Sequence, residues 1–140
     1  MPVQRSDDEL IAAFESTTLS ASDFHHADHI RVGWIYLRRH SLLEALPRFV
    51  AALRNFADAK GAHGLYHATI TCAYLLLIHE RMQLHPGTFD SFRAKNEDLF
   101  AWKPSILDRY YQPETLASDE ARRTFVLPDR RTDPPPATAQ

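Results

Sequence analysis

The chain has 140 residues, a hydrophobic fraction of 44%, a charged fraction of 24% and a formal net charge of −2. This length predicts one helical domain over residues 1–128, followed by a disordered proline-rich tail at 129–140. The nearly balanced charge argues against nucleic acid or a membrane surface as a partner. The single cysteine, Cys72, excludes an internal disulfide and a multi-cysteine zinc site. No apolar run reaches the roughly 20 residues of a membrane span and no signal peptide is recognisable, which predicts a cytoplasmic protein.

Capping patterns predict where several helices begin. Ser6 with Glu9 is a capping-box pair that opens a first helix at about 7–17, and Ser41 with Glu44 opens a third near residue 42. Between them, a second helix capped by Ser22 or Asp23 is expected to run to about residue 39.

The rest of the chain continues the helical pattern. Pro47 lies inside the third helix and predicts a kink or a split. A fourth helix at about 65–83 is apolar nearly all round, so it is expected to be central. A fifth at about 89–100 and short segments after it complete the prediction. The fold class predicted is an all-α, irregular bundle of four main helices with two or three short C-terminal helices.

Two histidine pairs have the i, i+4 spacing that places metal ligands one turn apart on a helix. His25 and His29 fall on the buried side of the second helix, beside Gly33, and His63 and His67 fall at the start of the fourth. Alternate helices of an antiparallel bundle can pack side by side, so both N-terminal ends would lie at one end of the bundle. Three imidazoles, from His25, His29 and His67, with His63 or a water completing the shell, suit a divalent metal ion such as zinc, copper, nickel or iron.

The same spacing is also typical of core histidines that hold no metal, because a neutral imidazole bonded to a backbone carbonyl gives the same pattern. Thr71 and Tyr74 lie on the stripe of His67 and are the candidate catalytic residues, as polar partners of a bound substrate. Otherwise the Thr71 hydroxyl would bond back to the His67 carbonyl, and Tyr74 would be a core aromatic with its hydroxyl at the rim. Whether His26 takes part is left open.

Several segments together resemble a known family. Phe24 and His29 followed by Trp34, the Tyr-His-Ala-Thr-Ile-Thr segment at 66–71, and the segment at 110–122 with Pro128-Asp129 are similar to a family of small, uncharacterised bacterial all-α proteins. The resemblance covers about residues 7–131. It implies a single helical domain and the choice of His29 and His67, and it implies no reaction. More distantly, the chain is similar to metal-binding helical bundles of the DinB type, which carry a three-histidine site, although the HxxxH pair comes first here.

The histidine pattern therefore predicts a small metal-dependent enzyme acting on a small-molecule substrate, with the ion as Lewis acid or as activator of water. The alternative is a non-catalytic ligand-binding or dimerising helical bundle with structural core histidines. Metal-free acid–base catalysis by His25 or His67 is a third hypothesis. The apolar excess of the second and fourth helices predicts a homodimer.

Overall fold

The computed structural model describes residues 5–130, and within this range the chain is all-α with no strand, which confirms the predicted fold class. The eight α-helices of these residues are α1 (Asp7–Glu15), α2 (His26–Arg39), α3 (Leu42–Ala59), α4 (Ala68–Leu84), α5 (Phe89–Lys95), α6 (Glu97–Phe100), α7 (Pro113–Leu116) and α8 (Asp119–Arg123). Short 3₁₀ helices at Ala21–Asp23, His63–Leu65 and Ile106–Arg109 lie in the connections. No helix among residues 5–130 combines the length and the apolar character needed to cross a bilayer.

The predicted capping boxes begin α1 and α3. The Glu9 N–H donates to Ser6 Oγ at 3.1 Å, and the Ser6 N–H donates to Glu9 Oε1 at 2.9 Å. α3 is not split at Pro47. The carbonyl that loses its partner belongs to Leu43, a residue of the first turn that is 83% exposed, so water can take the place of the missing N–H.

α4 lies at the centre of the bundle, as its apolar sequence predicts, and packs against α2, α3 and α8. At the contact with α2, the side chains of Leu75 and Ile78 pack onto Gly33. A Cβ atom at Gly33 would lie 3.0 Å from Ile78 Cδ1 and 3.2 Å from Leu75 Cδ1. Glycine is therefore the residue that allows α2 and α4 to approach this closely.

The helix predicted at 89–100 is divided at Asn96 into α5 and α6. Asn96 is fully buried; its Nδ2 donates to the Phe92 carbonyl at 2.8 Å, and its Oδ1 accepts from Arg81 of α4 at 2.9 Å. Arg81 also donates to both carboxylate oxygens of Asp98, at 2.9 and 2.8 Å. These hydrogen bonds lower the pKa of Asp98 to about 2. The hydrogen bonds from Arg81 of α4 thus end α5 at Asn96, whereas the apolar periodicity alone predicts one continuous helix.

The segment that follows α8 is tied to α4 through a buried hydroxyl. Thr69 Oγ1 donates to the Thr124 carbonyl at 2.8 Å and accepts from the Val126 N–H at 3.1 Å. The Tyr111 hydroxyl donates to the Val126 carbonyl at 2.7 Å. α8 and this segment therefore cover a further side of the apolar central helix.

The predicted tail begins with two residues that the structure places firmly against the domain. The backbone N–H groups of Asp129 and Arg130 both donate to the Tyr110 carbonyl, at 3.1 and 2.9 Å. The Asp129 carboxylate accepts from the Gln112 N–H at 3.0 Å. The other residues of that prediction, 131–140, lie outside the described residues, as do residues 1–4.

Candidate ligand cavity

A cavity of about 690 Å³ lies between the first half of α2, the second half of α3 and the first half of α4. Its walls are mostly apolar and aromatic, with Phe24, Leu53, Phe56 and Ile70 among them. Leu65, which is 80% exposed, and Trp102, which is 57% exposed, also border the cavity. The cavity therefore opens to solvent beside two large apolar side chains.

α2 begins at His26, later than predicted, and His25 is its N-cap residue. The His25 N–H donates to Asp28 Oδ2 at 2.9 Å, which closes the first turn of the helix. His25 is exposed, although it borders the cavity. His25 and His29 are therefore not two ligands on one buried helical face, because His25 lies outside the helix.

His67 is the N-cap residue of α4, and both of its ring nitrogens are engaged. Nδ1 accepts from the Ile70 N–H at 3.1 Å, and Nε2 bonds the Leu116 carbonyl at 2.7 Å. A carbonyl only accepts, so Nε2 carries the proton and donates it to Leu116. The ring is thus a neutral Nε2–H tautomer that caps one helix and binds the end of another.

The His29 ring borders the cavity and has no hydrogen-bond partner among the described residues. Its ring stacks on Phe24 with the centroids 3.9 Å apart, and it makes no hydrogen bond to any residue in the described range. Burial lowers the pKa of His29 to about 4, and the neighbouring His26 contributes in the same direction. At neutral pH the ring is therefore uncharged and offers one donor and one acceptor to the cavity.

His26 is the site residue that the sequence left undecided. Its Nε2 donates to the Leu99 carbonyl at 2.9 Å, and its ring lies 5.0 Å from both the Tyr74 ring and the Trp102 ring. Burial lowers the pKa of His26, partly offset by the hydrogen bond to Leu99. His26 therefore joins α2 to α6 and to the wall of the cavity. In the sequence, His26 comes directly before the apolar residues of α2, which places it near the cavity. Nothing in the sequence shows which residues His26 contacts.

The prediction of a metal-dependent enzyme with a histidine cluster is wrong. Among the described side chains, no three His, Cys, Asp or Glu residues lie close enough together to hold an ion. His25 is exposed at the N-cap, and the one lone pair of the neutral His67 ring, on Nδ1, already accepts from the Ile70 N–H. His29 borders the cavity, and its ring makes no hydrogen bond within the described residues. The fourth predicted ligand, His63, lies in a 3₁₀ helix, and its side chain is outside the described part of the chain.

The two predicted catalytic residues both border the cavity. The Tyr74 hydroxyl is hydrogen-bonded to Ser105 Oγ at 2.9 Å, and burial raises the pKa of Tyr74. Thr71 is buried, and its hydroxyl makes no hydrogen bond within the described residues, so the expected bond back to the His67 carbonyl is not formed. Thr71 and His29 are thus polar groups of the wall that a ligand could bind. Catalytic roles for Thr71 and Tyr74 stay predictions.

No protein-family model, curated protein or solved structure matches this chain. The resemblance of the segment at 66–71 to a family of bacterial helical proteins therefore stays a prediction.

Proposed function

We propose that the protein binds a small, mainly apolar molecule in the cavity between α2, α3 and α4. The size and the lining of the cavity together support this: about 690 Å³, with walls built mostly from apolar and aromatic side chains. Pockets of about 300–1,000 Å³ with apolar walls and a few polar groups are typical of small-molecule sites. Burying the apolar wall and the exposed faces of Leu65 and Trp102 against a ligand would release the water that they order.

Two polar side chains would orient the bound molecule. The neutral His29 ring offers a donor and an acceptor, and the Thr71 hydroxyl offers the same pair on the facing helix α4. Hydrogen bonds made in such an apolar enclosure are stronger than in water. A mainly apolar ligand that also carries polar groups would match this wall.

The pKa of His29 and the hydrogen bonds of His67 favour binding over metal-free acid–base catalysis by these two rings. An efficient general base has a pKa near the working pH, whereas the pKa of His29 lies at about 4. His67 uses its Nδ1 lone pair for the Ile70 N–H and its Nε2 proton for Leu116. The His29 ring is therefore a weak base, and the His67 ring has no free lone pair with which to take a proton from a substrate.

A neutral apolar dye, N-phenyl-1-naphthylamine, tests the proposal because its fluorescence rises when it leaves water. Ile70 and Leu76 both lie on α4, but only Ile70 borders the cavity, and Leu76 is 36% exposed. Ile70→Trp would fill part of the cavity and weaken dye binding by about tenfold or more, whereas Leu76→Trp is expected to leave the affinity within about twofold.

Circular dichroism and thermal melting establish that both variants are folded before the titration. Failure of the unaltered chain to bind the dye would contradict the proposal. Equal affinity in the unaltered chain and a folded Ile70→Trp variant would also contradict it, because binding would then occur elsewhere.

A further inference from the structure

We infer that the ligand of this cavity is an amphipathic carboxylate, whose apolar body lies between α2, α3 and α4 and whose anionic group binds Lys60. This inference rests on the proposed function, that the cavity holds a small molecule. It adds the chemical class of that molecule, and it follows from the distribution of charge around the wall.

The described wall carries no acidic side chain. None of the described residues that border the cavity is Asp or Glu, and Lys60 is the one Lys or Arg among them. Burial lowers the pKa of both His26 and His29, which keeps these rings neutral near pH 7. An anionic group would therefore meet one cation and no carboxylate, whereas a cationic group would be repelled by Lys60 and would find no carboxylate to pair with.

Lys60 is held in place with spare hydrogen-bonding capacity. It is the C-cap residue of α3 and is partly buried, and its Nζ donates to the Thr17 carbonyl at 2.9 Å. An ammonium has three N–H donors, so two more are available after Thr17 is satisfied. Lys60 forms no ion pair with any Asp or Glu of the described residues. A partly buried cation of this kind gains from an anionic partner, because charge-assisted hydrogen bonds are the strong ones.

The Lys60 ammonium lies at one end of a row of aromatic side chains. Lys60 Nζ lies 5.4 Å from the centroid of the Phe56 ring, and the Phe56 ring meets the Phe24 ring edge-on at 4.9 Å. Phe24 in turn stacks on His29. A molecule lying along Phe56 and Phe24 would therefore have its charged end at Lys60 and its body against apolar surface.

A purely structural role for Lys60 makes a different prediction. The ammonium also sits where the α3 carbonyls end, which favours a positive charge, and its bond to Thr17 anchors the loop after α1. If these were its only functions, the charge of a ligand's head group would not affect binding.

The test compares octanoate, 1-octanol and octylamine, which share one alkyl chain, by isothermal titration calorimetry on the full chain near pH 7. Octanoate is expected to bind about tenfold more tightly than 1-octanol, and octylamine more weakly than either. Lys60→Met should bring octanoate down to the affinity of 1-octanol without changing 1-octanol itself. Lys60→Arg should keep the preference for octanoate. Lys95→Met is the matched control, because Lys95 ends α5, is exposed and does not border the cavity.

Two results would overturn the inference and leave the proposed function intact. One is that the unaltered chain binds 1-octanol or octylamine as tightly as octanoate, a comparison that does not depend on any variant folding. The other is that the preference for octanoate survives in Lys60→Met. Absence of binding by all three compounds and by the neutral dye would instead remove the proposed function itself.

Discussion

At the scale of single residues, the His29 ring is largely buried and yet makes no hydrogen bond to any described residue. Its ring stacks on Phe24 in an apolar surrounding, so protonation would place a charge where little can stabilise it. The ordinary pKa of 6.5 therefore falls to about 4 in the folded protein. This difference makes the free energy of unfolding depend on pH.

We expect acid to destabilise the protein through His29 between about pH 6.5 and pH 4. Because the folded-state pKa is lower than the unfolded one, the unfolded chain binds a proton in this range that the folded protein does not, and stability falls as the pH falls. At pH 5 the loss from His29 is about 2 kcal/mol relative to pH 7 or above. Urea titrations at both pH values would measure it.

His29→Gln serves as the comparison for that experiment, since glutamine does not titrate. His26 also has a lowered pKa and stays in both proteins, so the difference between them isolates His29. An equally large loss of stability at low pH in His29→Gln would show that His29 is not the group responsible.

At the scale of helices, His67 joins the start of α4 to the end of α7. Its Nδ1 satisfies the Ile70 N–H in the first turn of α4, and its Nε2 binds the Leu116 carbonyl. One side chain thus completes two helix ends that would otherwise leave backbone groups without partners. The role that these two hydrogen bonds show is a structural one.

Replacing His67 tests this role directly. His67→Ala leaves the Ile70 N–H and the Leu116 carbonyl without their partner and is expected to lower the free energy of unfolding by about 2 kcal/mol. His67→Asn keeps a capping acceptor for Ile70 and should recover about half of that loss. Urea titrations with and without a chelator should give the same values. A loss that disappeared in chelator would contradict a purely structural role.

The sequence predicts those helix starts whose capping residues are common. Ser6 with Glu9, and Ser41 with Glu44, mark α1 and α3 because a hydroxyl and a carboxylate are well suited to the first turn. A histidine is an uncommon N-cap, so the pattern places His25 and His67 inside helices rather than before them. That is why the sequence predicts helical positions for two histidines that the structure places at N-caps.

The cavity depends on contacts that no local pattern contains. His29 is correctly predicted to face inward, because helical periodicity fixes its side of α2. The partner of His67 is Leu116, 49 residues away, and the division of α5 from α6 follows from the contact between Asn96 and Arg81 of α4. Sequence spacing alone singles out His29, Thr71 and Tyr74, which border the cavity, but it finds neither Lys60 nor the partners that decide the chemistry of these residues.

At the scale of the whole molecule, α8 and the segment after it cover part of the apolar surface of α4. The apolar surface of α4 is one basis for predicting a homodimer. The chain covers part of that surface with its own residues. The homodimer stays a prediction that light scattering would test. Within α4, Thr69 hydrogen-bonds this segment through both Thr124 and Val126.

Two threonines of α4 form a matched pair for measuring this contact. Thr69→Val removes two hydrogen bonds in a fully buried place and is expected to cost about 2 kcal/mol of stability. Thr71→Val replaces a hydroxyl without a described partner and should change stability by less than about 0.5 kcal/mol. Amide exchange should also quicken at Val126 in the first variant. Equal stability of the two variants would contradict the proposed contact.

The bond between His67 and Leu116 has a consequence for the order in which the protein takes shape during translation. Leu116 leaves the ribosome 49 residues after His67, which at about 5–20 residues per second is about 2–10 s. Throughout that interval the nascent α4 lacks both the partner of its capping ring and the segment that covers it. A newly made chain therefore leaves one side of its most apolar helix uncovered until residues 116–126 arrive, and a holdase chaperone could bind that side during this interval.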